Sequence, residues 1–462
     1  MRKGAVVRTS MLLVAGLAFL PRVRAESAGF VEHVVAEGFS GANSVDPADL
    51  DGDGDDDLAA CAWNDGLAWF ENTGGGFEKH MVDAGLAGAI FVRASDLDGD
   101  GDEDLAASSN SLGTVRWYEN SGSGSFTAHD VRTGFTGAHS VIPCDIDGDG
   151  DTDLLCAAFD IDTVSWFENG AAGDFTEHQI AVFDGAWTAV AGDMDGDGDI
   201  DVAGAARLAD EVRWWENDGS EAFTGHSIDA SFDGAHVLVM DDLDLDGDTD
   251  VVATARAADQ VTWYENSGSE SFTKHILLDD YDWPTFASPA DLDRDGDRDI
   301  ACAAYNADDV SWLQNDGSEN YTRSVISSTF DGVIPVVSAD FDGDGDIDIL
   351  AAAYGPGRIV WWENTGLTSI ESLQGAGGCP VLGTCPNPMV GAIQASFELP
   401  AGTCWTLLLY DASGRLASTR VQGVSDGGPS CISLQAPGVG TYLVRLETPS
   451  GPSTASAVVL RQ

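Results

Sequence analysis

The sequence predicts an all-β protein: a seven-bladed β-propeller closed by its own N-terminal strand, followed by a small β-sandwich. Three observations predict it. An acidic stretch, first met as Asp49-Leu50-Asp51-Gly52-Asp53-Gly54-Asp55-Asp56-Asp57-Leu58, recurs seven times at intervals of 47 to 49 residues. Each copy is followed by a Trp-bearing strand that ends in Glu-Asn or a close variant, from Trp69-Phe70-Glu71-Asn72 to Trp361-Trp362-Glu363-Asn364. A Phe-x-x-His segment, as in Phe77 to His80 and Phe126 to His129, completes the unit.

A period of this length means a solenoid, a propeller or an array. Each unit holds four short strands: one before the acidic stretch, one after it, the Trp strand and the Phe-x-x-His strand. Both faces of the Trp strand are apolar or aromatic, so the sheet is covered on both sides. Four-stranded sheets covered by their neighbours describe propeller blades. The last unit stops at its Trp strand, and the missing Phe30-Val31-Glu32-His33 precedes the first acidic stretch. Residues 29–36 are therefore expected to complete the last blade and remove an open sheet edge.

The acidic stretch has a chemical reason. Every copy carries Asp at its positions 1, 3, 5, 7 and 9 and Gly at 6. Carboxylates at 1, 3 and 5 can wrap one hard cation if the chain turns sharply after 5, which Gly permits. Position 7 then offers its backbone carbonyl and the Asp at 9 closes the shell. All-oxygen ligation favours Ca²⁺ over Zn²⁺ or Cu²⁺, and the stricter octahedron of Mg²⁺ fits less well. An EF-hand would need Glu at position 12, where Ala60 and Ala107 stand.

The candidate ligands are Asp49, Asp51, Asp53, Asp55 and Asp57; Asp96, Asp98, Asp100, Asp102 and Asp104; Asp145, Asp147, Asp149, Asp151 and Asp153; Asp193, Asp195, Asp197, Asp199 and Asp201; Asp242, Asp244, Asp246, Asp248 and Asp250; Asp291, Asp293, Asp295, Asp297 and Asp299; and Asp340, Asp342, Asp344, Asp346 and Asp348. Up to seven structural Ca²⁺ are expected. These 35 aspartates are nearly half of the 78 acidic residues in a chain of net charge −57. Such a surface excludes nucleic acid as a partner and predicts self-repulsion when calcium is stripped.

Residues 1–25 read as a secretory signal. Arg2, Lys3 and Arg8 form a basic start, Met11 to Leu20 is an apolar run too short to span a bilayer, and Val23-Arg24-Ala25 offers a cleavage site. The mature chain is expected to begin near Glu26 and to be secreted or held at a bacterial cell surface. No later stretch reads as a transmembrane span.

The repeat resembles the FG-GAP/VCBS calcium-loop propellers, the architecture of the integrin alpha-subunit head, over residues 29–366. The resemblance implies Ca²⁺ on the lower face, bracing the blades, and ligands on the upper face. That family hosts adhesins, lectin-like binders, some polysaccharide-degrading enzymes and plain scaffolds, so it does not fix function.

Comparing the repeats separates scaffold from site. His33, His80, His129, His178, His226 and His275 recur at one position, with Ser324 in the remaining copy, and are read as packing residues. Fourteen residues past each acidic start stand Trp63, Asn110, Phe159, Arg207, Arg256, Tyr305 and Tyr354. Six residues before each start stand Asn43, Ile90, His139, Trp187, His236, Thr285 and Ile334, with Trp283 nearby. Propeller topology puts these opposite the acidic loops. The candidate ligand face is the first set together with His139, Trp187, His236 and Trp283. Flat aromatics among Arg, Asn and His suit a sugar ring or a protein ligand. No catalytic residue is assigned, although His139 and His236 with Arg207 or Arg256 could form a lyase or hydrolase site.

Residues 367–380 read as a linker and 381–462 as an antiparallel sandwich, with strands at Ile393 to Leu399, Trp405 to Tyr410, Ile432 to Leu434, Tyr442 to Glu447 and Ala457 to Leu460. Phe397-Glu398-Leu399-Pro400, Leu409-Tyr410-Asp411-Ala412-Ser413-Gly414-Arg415 and Gly440-Thr441-Tyr442-Leu443-Val444-Arg445-Leu446 resemble the C-terminal sorting domain of type IX secretion and the Ig-like domain of the flagellar hook-capping protein. The resemblance implies export and surface attachment. Where that pattern carries Lys near its terminus, this chain ends Val459-Leu460-Arg461-Gln462. Cys379–Cys385 with Cys404–Cys431 is the preferred of three pairings in this region. Cys61, Cys156 and Cys302 are expected as buried thiols, with a Cys144–Cys156 bond the alternative for that pair. The functional expectation is a monomeric, exported calcium-binding propeller that binds glycan or protein at a cell surface. A polysaccharide-active enzyme and a non-binding spacer are the alternatives.

Overall fold

The computed structural model describes residues 29–170, 173–268 and 271–365, together with the backbone of eight strands between Leu382 and Leu460. The chain divides into two compact units after Gly366. The signal segment, the linker and the side chains of all four C-terminal cysteines lie outside the described residues.

In the first unit β1 (Phe30–Ala36) is followed by β2 (Ala42–Ala48), β3 (Asp57–Ala62), β4 (Gly66–Asn72) and β5 (Phe77–Asp83), and β2 to β5 form one antiparallel four-stranded sheet. The same sheet recurs until seven are built. The fold is an all-β seven-bladed propeller. Its last sheet comprises Val333–Ala339, Asp348–Ala353, Arg358–Asn364 and β1 itself, with His33 opposite Trp361.

The strand sequences explain the packing. The strand after each acidic loop is wholly buried in all seven blades and rich in Ala, so large aromatics of the next blade can lie against it. One core cluster joins Leu58, Ala60 and Phe70 of the first blade to Phe341, Leu350 and Trp361 of the last. The outer strand is partly exposed and carries charge, which blunts its free edge.

Each outer-strand His stacks on a Trp of the adjoining strand, at centroid distances of 4.5 to 4.8 Å in six blades. Its Nε2 meets the Glu of the Glu-Asn pair at 2.7 to 3.0 Å. The blade with Ser324 instead of His also has Gln314 instead of Glu, and Gln314 Nε2 donates to Asp293 at 2.6 Å. His and Glu are lost together, as a paired role requires.

Cys61, Cys144, Cys156 and Cys302 are all free thiols, so the alternative Cys144–Cys156 bond is not formed. The second unit has a three-stranded sheet of Leu382–Thr384, Ala392–Glu398 and Pro429–Gln435. A five-stranded sheet runs Met389–Val390, Gly451–Leu460, Gly440–Thr448, Cys404–Asp411, Val421–Val424. No helix among the described residues is long and apolar enough to cross a membrane.

Trp166 is 1% exposed and sandwiched between blades. Trp166→Ala should lower unfolding free energy by about 3–5 kcal/mol, read as a shift of the urea midpoint at unchanged slope.

Candidate functional site

The acidic loops all join the first and second strands of their blades, so they lie at one end of the propeller. Within the first loop Asp49 accepts from the amides of Gly52 (2.8 Å) and Gly54 (3.1 Å). Asp51 accepts from Asp53, and Asp53 from Asp55, each at 3.1 Å. Gly54 has φ 96°, a left-handed conformation that favours glycine at position 6. The loop is thus wound around its own carboxylates. Asp49, Asp51 and Asp53 bring one oxygen each within 4.8 Å of one another, as do Asp96, Asp98 and Asp104 in the second loop and Asp145, Asp147 and Asp153 in the third. Asp145, Asp242 and Asp340 each bury an Oδ1 that has no hydrogen-bond partner.

The ninth Asp is held differently. Asp57 accepts from the amide of Leu50 at 3.1 Å and from that of Asn72 at 2.7 Å. The same two bonds recur in the other six loops. Burial pushes these carboxyls up, to about 6 for Asp57, Asp153 and Asp201 and to about 7 for Asp104, Asp250, Asp299 and Asp348, against the lowering effect of both amides.

At position 7 the Asp102, Asp199 and Asp248 carboxylates pack over Gly122, Gly219 and Gly268, where a Cβ would come within 2.3 to 2.4 Å of them. Asp346 pairs with Arg294 of the preceding loop at 2.6 Å. A polar cleft of about 780 Å³ opens between the loops of the last and first blades, lined by Asp55, Asp56, Asp340 and Asp342.

Antiparallel strands put the other two kinds of loop at the opposite end. There the amides of Trp63, Asn110, Phe159, Arg207, Arg256, Tyr305 and Tyr354 donate to the carbonyls of Gly41, Gly88, Gly137, Gly185, Gly234, Trp283 and Gly332, at 2.7 to 3.0 Å. These bonds give all seven blades one backbone frame on which the side chains differ. Trp283 stands where six blades carry Gly, and it keeps their left-handed conformation at φ 61°. For a bulky residue this is a strained state.

A cavity of about 260 Å³ opens within this frame. Of the candidate ligand-face residues, Trp63, His139, Trp187, His236, Arg256, Trp283, Tyr305 and Tyr354 line it. Asn110, Phe159 and Arg207 do not. Phe159 and Arg207 instead pack on Trp187, at 5.4 and 5.2 Å from its ring. Asn43, Ile90, Thr285 and Ile334 also line it, so all seven positions six residues before the acidic starts converge here. Phe91, Val237 and Phe286 complete the wall. Equivalence among repeats was the signal that could have brought those four into the candidate set.

Trp187 is the centre of the cluster. His139 lies 3.8 Å from its ring and His236 5.0 Å. The Arg256 guanidinium sits 4.1 Å from the Trp283 ring and 5.9 Å from Trp187. Burial and the Arg256 charge lower His139 to about 3 and also lower His236. Burial, then the neighbouring Arg207, lowers Arg256 to about 9. His236 Nδ1 is 3.2 Å from the Thr285 carbonyl, which can only accept, so Nδ1 carries the proton and Nε2 is left as an acceptor.

Five stretches, residues 49–107, 96–156, 145–204, 242–302 and 291–351, match the FG-GAP-like repeat. The chain belongs to the FG-GAP-like repeat family. Among solved structures, this FG-GAP-like chain is similar to BBS1N, crystallised in complex with ARL6DN, with TM-score 0.49 and 13% identity over 73% of this chain and 98% of that one. It is also similar to the extracellular domain assigned to a hybrid two component system of B. thetaiotaomicron, with TM-score 0.49 and 11% identity over 95% of this chain. It spans 60% of the length of that extracellular-domain chain. No curated protein matches the sequence.

Both cavity histidines of the FG-GAP-like propeller should stay neutral between pH 5 and 8. Their folded values lie below the unfolded value of about 6.5, so the stability they contribute is present above that value. It is lost as pH falls, for His139 down to about 3. The loss is about 1.4 kcal/mol per pH unit for each histidine within its window. Ring-carbon NMR shifts of His139 and His236 that stay flat through pH 6.5 are the expected result.

Proposed function

We propose that this chain is an exported, calcium-braced binding module that holds a glycan, or side chains of a protein partner, on the face opposite its acidic loops. The observation that carries this reading is the aromatic cavity lined by Trp63, Trp187, Trp283, Tyr305 and Tyr354. Flat faces with a few polar groups between them suit stacking on a ring and bonding to its hydroxyls.

The acidic loops would be filled by Ca²⁺. Convergent carboxylate oxygens and the partnerless oxygens of Asp145, Asp242 and Asp340 fit a hard cation. The aspartates at positions 1, 3 and 5 and the carbonyl at 7 would hold it. The ninth would close the shell while still tied to its two amides. The ion supplies charge compensation and rigidity there, not chemistry on a substrate. Calcium would draw together loops whose like charges otherwise repel. In this reading residues 1–25 direct export, residues 29–36 clasp the ring shut, and the second unit is an Ig-like sorting or anchoring domain.

A polysaccharide lyase is a second reading, favoured by two neutral buried histidines beside Arg256. No carboxylate lines the cavity among the described residues, so the acid pair of glycoside hydrolases is not assembled there. Turnover of a glycan panel, lost in His139→Ala and His236→Ala, would establish the enzyme.

Chelation of the purified protein should lower its melting temperature by 10 °C or more. Each site at a hundredfold excess of Ca²⁺ over Kd contributes about 2.7 kcal/mol. Differential scanning calorimetry with and without EGTA checks this, and unchanged melting would sink the bracing role. On a glycan array the calcium-loaded protein should bind, and Trp63→Ala and Trp187→Ala should reduce that binding at least tenfold with melting held within a few degrees.

A further inference from the structure

We infer that the upper-face ligand is a saccharide carrying an anionic group, a carboxylate or a sulfate, whose charge is taken by Arg256 with Arg207 behind it. This rests on reading that face as a binding site.

The first observation is a charge left uncompensated in an acidic protein. The chain carries a net −57, and every other described arginine in the propeller meets a carboxylate. Arg207 and Arg256 have no such partner among the described residues, and both face the ring of Trp187. No Asp or Glu among the described residues lines the cavity. Two guanidiniums brought together without an anion repel each other, and an incoming anion would relieve that repulsion.

The second observation is a set of unmet hydrogen-bonding atoms. Arg256 Nε, Trp187 Nε1, His236 Nε2 and His139 Nδ1 are all buried without a partner. His139 and His236 are 7% and 4% exposed. Arg256 Nε–H and Trp187 Nε1–H need acceptors, whereas His236 Nε2 needs a donor. A carboxylate side chain or an inorganic anion offers acceptors alone. A sugar acid or sugar sulfate offers anionic acceptors and hydroxyl donors on one rigid ring. The cavity, about 260 Å³, falls just below the roughly 300–1,000 Å³ of drug-sized pockets, which suits one ring.

The third observation is Trp283. Only this blade places a side chain on the left-handed position that the other six give to Gly, and that ring lies 4.1 Å from the Arg256 guanidinium. Its strained backbone is compensated by what the ring does: it holds Arg256 against the cavity and adds a stacking face.

The test is isothermal calorimetry on the full, calcium-loaded chain with paired probes. One pair is uronic-acid oligosaccharides, from galacturonate, glucuronate and mannuronate series, against the same oligosaccharides with carboxyls reduced to alcohols. The other is sulfated galactan oligosaccharides against their desulfated forms. A Glu-rich peptide of equal charge is the protein-like arm. At least one acidic saccharide should bind tenfold or more tightly than its neutral counterpart, and the pair that shows it tells carboxylate from sulfate. Arg256→Gln should abolish that preference. Trp283→Gly restores the residue of the other blades, so it should keep melting within a few degrees and still lose the acidic ligand. Equal affinity for acidic and neutral members would overturn the anionic preference while leaving the binding module intact. Equal or tighter binding of the peptide would overturn the saccharide. No binding by any saccharide would overturn both this inference and the glycan reading on which it rests.

Discussion

The ninth aspartate of each acidic loop is a buried carboxylate held by two backbone amides, and the ring depends on that arrangement. One amide belongs to the second residue of the loop, the other to the Asn that ends the Trp strand. The Asn side chain then reaches further. Asn120 Nδ2 donates to the Glu103 carbonyl of its own loop and to the Leu50 carbonyl of the blade before, at 2.9 and 2.8 Å. Asn169, Asn217, Asn266 and Asn364 repeat the reach to the preceding loop. The bridged residue is itself buried between blades, as Leu50 and Leu97 are. One carboxylate therefore fixes where its loop begins, where its Trp strand ends and how its blade meets the last. Two amides do not fully offset its burial, since these groups remain well above the usual carboxylate range. A bound cation would supply the missing compensation, which links the proposed calcium to blade packing.

Much of this was legible in the sequence because a repeat compares itself. Seven copies of one acidic pattern set the blade count, and the Glu-Asn ending marked the strand that the loop clamps. The histidines read as packing residues prove to be stacked on Trp and paired with Glu, and the joint change to Ser324 and Gln314 shows that both partners serve one contact. What the sequence did not yield was side-chain direction. Arg207 and Arg256 occupy equivalent positions, yet Arg256 lines the cavity and Arg207 packs on Trp187 beside it. Position in a repeat sets where the backbone stands; rotamer and neighbours set where the side chain goes. The strain at Trp283 was also hidden, because composition cannot report φ. Aligning it with the glycines of the other blades would have exposed it.

The two ends of the propeller obey opposite rules. At the acidic end all seven loops keep the same five carboxylates, and in the first loop backbone winding and anchoring use four of them, Asp49, Asp51, Asp53 and Asp57. At the other end the bonds from the Trp63 amide and its six equivalents run between backbone groups, at 2.7 to 3.0 Å in every blade. Side chains at those seven positions can change without breaking that set of bonds. The variation has a direction. Asn43, Trp63, Ile90, Phe91, Ile334 and Tyr354 line the cavity from the first, second and last blades, while His139, Trp187, His236, Arg256 and Trp283 line it from the four blades between. A plug would need only apolar volume on every side. A side that concentrates buried partnerless polar atoms, the Arg256 cation and one strained Trp, facing a side of mostly aromatic and aliphatic groups, is what orients a ligand with two unlike faces. The symmetric scaffold makes an asymmetric site possible because one backbone frame carries different side chains in each blade.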